Sequence, residues 1–489
     1  MARRVVLILF LAAAAAAHSQ SASEAARDYD AGRALEAEKR YDEAEALYRS
    51  AEAKDPANWR YSYYLGELLL GKSEKYEEAM AAFGRAWDRG YRRGITRHKQ
   101  GMCLWHLGRL DEAMERFKES VTLNLGAMQT ATGATLDQLR YQTADSFVWM
   151  CKVHDGRRDY ISLFEAATEG LRHGDVQGWL QGYAMRSALH LGHEAFGGGD
   201  YGLAVRWYEL SLKYTPNSHP GGEREWDDYP DWRVPTDTLI ELARRRMSGV
   251  SGRAAVVHRI LALVIMHQDV SFVDDEGRPR HVVAETTPTM VSEARKRLAW
   301  LREVIYAMSD GRMAIEFIVE EDHTPYVYSG QTRPDWVGDR EILYRTLPSV
   351  DTVFRLWPYG EGLGTGGAGW IDLVPGGLEG PVRGMVSMHT EHSHGLWLHE
   401  FFHVVERMAG ISPTHGYYDE SRGSFPGWKG RKNNQLDYFW WHFRTTLPTV
   451  GWQAMGFRDG SRYVFPSYEE FKRSYEEYLK IPMDEREGL

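Results

Sequence analysis

The chain has 489 residues, 43% of them hydrophobic and 12% aromatic, which is too long for one core and rich enough to fill two. A net charge of −10 argues against a nucleic-acid partner, whose phosphates would call for a basic face. The two cysteines, Cys103 and Cys151, fall in helical sequence away from any His-and-acid constellation, so neither a disulfide framework nor a cysteine nucleophile is indicated, and no G-x-S-x-G elbow marks a serine hydrolase.

Residues 1–19 read as an export signal. Ala2-Arg3-Arg4 supplies positive charge, Val5 to Ala17 an apolar stretch too short to span a bilayer, and Ala17 and Ser19 the small residues of a cleavage site before Gln20. No later apolar run reaches the length of a membrane span. The expected location is therefore the periplasm or beyond, the alternative being an uncleaved anchor.

Internal repetition follows. Gly32, Gly66 and Gly101 recur every 34 or 35 residues, as do Ala44, Ala79 and Ala113, and Tyr48, Phe83 and Phe117. The openings Tyr41-Asp42-Glu43-Ala44, Tyr76-Glu77-Glu78-Ala79 and Leu110-Asp111-Glu112-Ala113 begin the second helix of each unit. A further unit fits Gly192, Ala204, Tyr208, Ser211 and Pro216, while residues 125–180 look helical but degenerate. Residues 24–216 thus resemble tetratricopeptide repeats. That resemblance implies an all-α solenoid whose concave face docks a peptide or protein partner, or else a purely structural extension. Trp59, Tyr61, Tyr63 and Tyr64 either line such a groove or pack between repeats.

Residues 217–240 read as a linker, with Pro220, Gly221, Gly222, Pro230 and Pro235 and no apolar period. Residues 241–489 form a second domain. Arg259–Ile265, Ala314–Val319, Thr352–Trp357 and Gly384–His389 are strand-like, Thr289–Met308 has helical periodicity, and the tail from Ser467 reads as a helix. The glycine-rich run 360–369 lacks the lysine of a phosphate loop and leads into a strand-like segment instead of a helix, which makes it a flexible loop.

His399-Glu400-Phe401-Phe402-His403 carries the chemistry. Histidines four apart share one helical face and reach a single metal ion; the intervening glutamate is placed to contact a metal-bound water. Motif and strand order together make residues 250–450 resemble a zincin metallopeptidase. The resemblance implies an α+β catalytic domain with one Zn²⁺ per chain, held by His399, His403 and a third ligand. Glu400 would be the general base in hydrolysis of a peptide substrate. Glu406 and His415 compete for the third ligand, with Glu420 and Asp437 behind them; the metzincin positions hold Glu406 and Ala409 instead of Gly and His. The resemblance also implies an oxyanion-stabilising residue, for which Tyr417, Tyr418 and Tyr438 are candidates, and a cleft edge formed by the last strand, Met385–His389. His389, His392 and His394 form a second metal site or, more simply, a solvated loop. The alternative to the peptidase is a repeat scaffold with a zincin-like domain that binds without cutting.

Overall fold

The computed structural model describes residues 2–215, 235–249, 256–274, 277–330, 352–358, 368–373, 382–390 and 393–408. The chain divides into two compact units, Met1–Ser187 with Tyr214–Gly222, and Ala188–Lys213 with Glu223–Leu489. No helix among the described residues is long and apolar enough to cross a membrane.

The first unit is a helical array like that of tetratricopeptide repeats, built from paired helices: α1 (Ala2–Ala37) with α2 (Tyr41–Lys54), α3 (Trp59–Gly71) with α4 (Tyr76–Asp88), α5 (Gly94–His106) with α6 (Leu110–Met128), and α7 (Gly133–Gly156) with α8 (Tyr160–Leu171). Local signals start these helices. Asp42 and Glu43, Glu77 and Glu78, and Asp111 and Glu112 sit in the first turns of α2, α4 and α6, where carboxylates complement the helix dipole. Asn58 caps α3 by accepting from the Arg60 N–H at 3.2 Å.

One contact recurs in the pairs. A β-carbon added at Gly32, Gly66 or Gly101 would stand 2.8, 2.8 or 2.6 Å from the ring of Tyr48, Phe83 or Phe117, closer than real β-carbons come. Each ring is fully buried. Glycine is required there because the aromatic ring of the second helix lies directly on the backbone of the first. The pair α7–α8 inverts the arrangement: Gly170, on the second helix, faces Phe147 on the first, at 2.7 Å for an added β-carbon. With this inversion, and with α6 and α7 at 19 and 24 residues against 13 or 14 in α2 to α5, residues 125–180 depart from the repeat pattern. Within the α3–α4 pair Tyr63 meets Phe83 and Tyr61 is buried, while Trp59 stacks at 3.8 Å on Tyr91 ahead of α5, so these rings take part in packing. Glu52 joins Arg85, Arg89 and Ser62; burial raises its carboxyl pKa, but these partners outweigh burial and bring it to about 2. Cys103 and Cys151 are free thiols, both buried.

The expected boundary at residue 216 differs from the observed division, which falls inside α9 (Trp179–Gly197). From Ala188 onward α9 and all of α10 (Tyr201–Tyr214) except its last residue belong to the second unit. The repeat contact persists there, since a β-carbon on Gly192 would lie 2.5 Å from Tyr208, but the pair shares its core with the α/β elements. The assigned linker, 217–240, overlaps a helix at its end, although its prolines stop at Pro235. Residues 216–234 lie outside the described set, whereas Thr236–Met247 forms α11, burying Leu239, Ile240, Leu242 and Ala243. Pro235 stands at its N-cap, just ahead of the first turn, where a missing N–H costs nothing.

The α/β part runs β1 (Val256–Ile265), β2 (His267–Val273), β3 (Pro279–Glu285), α12 (Pro288–Met308), β4 (Met313–Asp322), β5 (Tyr326–Ser329), β6 (Thr352–Trp357), β7 (Ala368–Leu373), β8 (Val382–His389) and α13 (His394–Met408). The larger sheet has the order β4-β1-β6-β8-β7, with β7 alone antiparallel; β3-β2-β5 form a smaller sheet. Alternate residues Ile260, Ala262 and Val264 of β1, Phe354 and Leu356 of β6, and Val386 and Met388 of β8 join one core with α12 and α13, so both helices cover the same face. Leu263, Ile265 and Trp357 face the other way, against Tyr326. Thr287 caps α12, accepting from the Met290 N–H at 3.3 Å, with Pro288 in the first turn. The expectation of Met385–His389 as the sheet edge is corrected. β8 is flanked by β6 and β7 and pairs with both, and among the described residues the outermost strand on that side is β7.

Gly101→Val should destabilise the first unit by roughly 1–3 kcal/mol through overpacking on Phe117. Adding Phe117→Leu should return part of that loss, as contacting residues couple. Denaturant unfolding of the single and double variants measures both; a neutral Gly101→Val would refute the contact.

Candidate functional site

The motif sits on α13, and the helix is placed by its opposite face. Ser393 starts it, its hydroxyl accepting from the Leu396 N–H at 3.2 Å. Trp397, Leu398, Phe401, Phe402, Val404 and Val405 are all buried, and α13 runs across β7 and β8. The Phe401 ring lies 5.6 Å from the imidazole of His258 on β1 and 6.0 Å from Phe354 on β6. His258 in turn hydrogen-bonds Thr352 of β6 at 2.8 Å. Fixing this face leaves positions 399, 403 and 406 along one stripe on the other side, at spacings of one and two turns. His399 is partly exposed, and Glu400, toward the side of the stripe, is only 5% exposed.

His399 and Glu400 are therefore adjacent on an anchored helix, and the backbone brings His403 and Glu406 into register with His399. His415, Glu420 and Asp437, with Tyr417, Tyr418 and Tyr438, lie outside the described residues, as do His392, most of the glycine-rich run and the C-terminal tail. Among the described residues no three metal-ligating groups are gathered into one site.

The entry to α13 is held from behind. The Thr390 N–H donates to the Trp357 carbonyl at 2.8 Å, and the buried Arg297 of α12 donates to the Thr390 carbonyl at 3.0 Å. Four residues on, His394 is not in a solvated loop, as its sequence neighbours suggest. It opens α13 with 8% exposure, its ring centroid 4.2 Å from His193 and 5.8 Å from His190 of α9, and 5.1 Å from Trp300 of α12. The sequence offers His190 and His193 only as an i, i+3 pair in an apolar helix, roughly 200 residues from their partner. His389, at the end of β8, is held down to about 4 by burial and by the charge of Arg297.

The first unit contains a separate concave feature, a cavity of about 550 Å³ between the start of α5, the end of α6 and the first turns of α7. Its lining includes Arg92, Arg93, Asn124, Thr132, Gln138 and Gln142, with no Asp or Glu. Arg93 occupies the N-cap of α5 and offers no side-chain acceptor to its first turn. Asn124 is 1% exposed, and its Nδ2 has no hydrogen-bond partner among the described residues.

No family model matches the sequence, and no curated protein does. Among solved structures the chain is similar to the second tetratricopeptide-repeat domain of Spaghetti (RPAP3) bound to an HSP90 peptide, at 27% identity over 21% of this chain and 95% of that one, with a TM-score of 0.20. It is also similar to MamA, at 15% over 39% and 91% with a TM-score of 0.30. Pseudomonas aeruginosa pilF matches at 15% over 45% and 86%, with a TM-score of 0.32. The repeat assignment itself rests on the recurring glycine–aromatic contacts.

Phe401→Ala should cost about 3–5 kcal/mol, the range for emptying a buried aromatic site. The measurement is denaturant unfolding of the full chain. A loss under about 1 kcal/mol would mean that α13 is not anchored as described.

Proposed function

We propose that this chain is a repeat scaffold that docks a peptide or protein partner through its first unit. The observation that supports the reading is the cavity at the start of α5. Arg92 and Arg93 bring two cations, the first turn of α5, which receives no side-chain bond from its N-cap residue, adds the positive end of a helix dipole, and no carboxylate lines the wall. Ile95 and Leu139 provide apolar lining beside them. An anionic group on a segment with further polar groups suits such a wall, and its charge-assisted hydrogen bonds would set the register of the bound chain.

The test is selection from an acidic peptide library on the full chain, followed by titration of a selected peptide. Arg92→Ala with Arg93→Ala should weaken binding at least about tenfold, and added salt should weaken it in the parent. Selection of no peptide, or equal affinity in the double variant, would remove this reading.

A second reading, a zinc-dependent peptidase, is favoured by α13. His399 and His403 are the residues that would hold Zn²⁺, and Glu400 would accept the proton from the attacking water. Bound zinc supplies a water acidified toward neutrality and polarises the scissile carbonyl. The two histidines would supply two of the three protein donors that such a site needs. Glu406 and His415 remain the alternatives for the third ligand, ahead of Glu420 and Asp437, and the chain would act in the periplasm or outside the cell after cleavage before Gln20. Metal analysis decides between the two readings. A peptidase carries about one zinc per chain, loses it in His403→Ala, and in Glu400→Gln keeps the zinc while peptide cleavage drops by orders of magnitude. Absence of zinc and cleavage from folded, zinc-supplied protein leaves the scaffold alone.

A further inference from the structure

Three imidazoles meet where α9, α12 and the motif helix α13 converge. His190, His193 and His394 are 6%, 5% and 8% exposed, and the rings of His193 and His394 lie 32° from parallel at 4.2 Å. His193 Nδ1 shares a 3.0 Å hydrogen bond with the hydroxyl of Tyr208, a fully buried side chain of α10. Trp300 closes the other side, 5.2 Å from His193. Gly197, at the end of α9, lets that helix touch the backbone of Trp300, where an added β-carbon would come within 2.8 Å. His190 meets the other two rings edge-on, at 86° and 63°, and among the described residues these imidazoles are not gathered into a group that could hold a metal ion.

We propose that this histidine cluster is an acid-released latch, which holds the first turn of α13, and with it the segment bearing His399 and Glu400, against the α9–α10 hairpin until the imidazoles take up protons. A proton on any one ring would be a buried charge within stacking distance of the next ring. The charge that acts on both His193 and His394, that of Arg297, does not offset such a proton. Arg297 of α12 adds positive charge, Tyr208 of α10 is neutral, and His389 ends the neighbouring strand. Glu194 on α9 and Glu293 on α12 are both engaged by Lys296, at 2.8 and 2.9 Å.

Burial, then Arg297, holds His193 down to about 3, and burial, then His193, Arg297 and His190, holds His394 well below the ordinary imidazole value. The closed form therefore binds fewer protons than an opened one. Its stabilisation is intact above the ordinary value near 6.5 and declines as pH falls below it.

Amide hydrogen exchange on the full chain tests the latch, with rates corrected for the intrinsic effect of pH. Between pH 7.5 and 5.5, two such histidines predict a loss of protection of about 100-fold in peptides covering residues 394–408, while those of α4 stay unchanged. Combining His193→Gln, which keeps a partner for Tyr208, with His394→Phe, which keeps a ring against Trp300, should reduce the effect to about tenfold or less. Unchanged protection in the parent, or an undiminished pH effect in the double variant, would overturn the proposal. Should the double variant fail to fold, C2-hydrogen exchange of individual histidines in the parent decides: a titration midpoint near 6.5 for both His193 and His394 overturns it.

Discussion

An aromatic ring laid on a backbone that lacks a β-carbon is the contact on which the arrangement of this chain depends. At Gly32, Gly66 and Gly101 it closes a helical pair and sets the spacing of the solenoid. At Gly192 the same contact reaches further. It admits the Tyr208 ring, whose hydroxyl lies 3.0 Å from His193, the next residue along α9; His193 stacks on His394, and His394 opens α13. A repeat-type hairpin is thereby built into the α/β core, and the helix carrying His399 and Glu400 is positioned partly by a residue pair that belongs, by sequence pattern, to the solenoid.

That continuity explains which parts of the fold were legible in the sequence. The repeats were legible because the same residue types recur at the same places. The α7–α8 pair was not, because Gly170 and Phe147 exchange the helices on which glycine and aromatic ring stand. β1 and β6 were recognisable as short apolar runs, as expected of strands covered on both faces. Strand order was beyond reach, since nothing in Met385–His389 distinguishes an edge from the interior position it holds between β6 and β7. Pro235 marks the start of α11, and the linker assignment overran it only across 236–240, the first turn of that helix.

The candidate site was legible to a similar degree. The i, i+4 spacing placed His399 and His403 on one stripe, and the apolar residues at 397, 398, 401, 402, 404 and 405 fixed which face turns to the sheet. What fixes the helix along its axis was hidden. Arg297, from a helix nearly 100 residues earlier in the chain, binds the carbonyl of Thr390, and His258 from β1 packs on Phe401. Such supports have no periodicity and no motif, because each needs a single side chain brought from far along the sequence.

Histidine in the buried cluster is itself informative about why a polar ring was kept in an apolar place. Phenylalanine at 193 would pack against Trp300 as well and carry no proton, but it would take from the buried Tyr208 hydroxyl a hydrogen-bond partner, at a cost on the order of 1 kcal/mol or more. Neutral imidazole meets both demands, a flat face for His394 and Trp300 and a nitrogen for Tyr208, so at neutral pH the cluster is as good a core as an aromatic one. The difference emerges only under acid, where the ring that satisfied Tyr208 becomes a cation next to two others that can do the same. Packing and titration are thus properties of the same three side chains, and a substitution that preserves one while removing the other separates them.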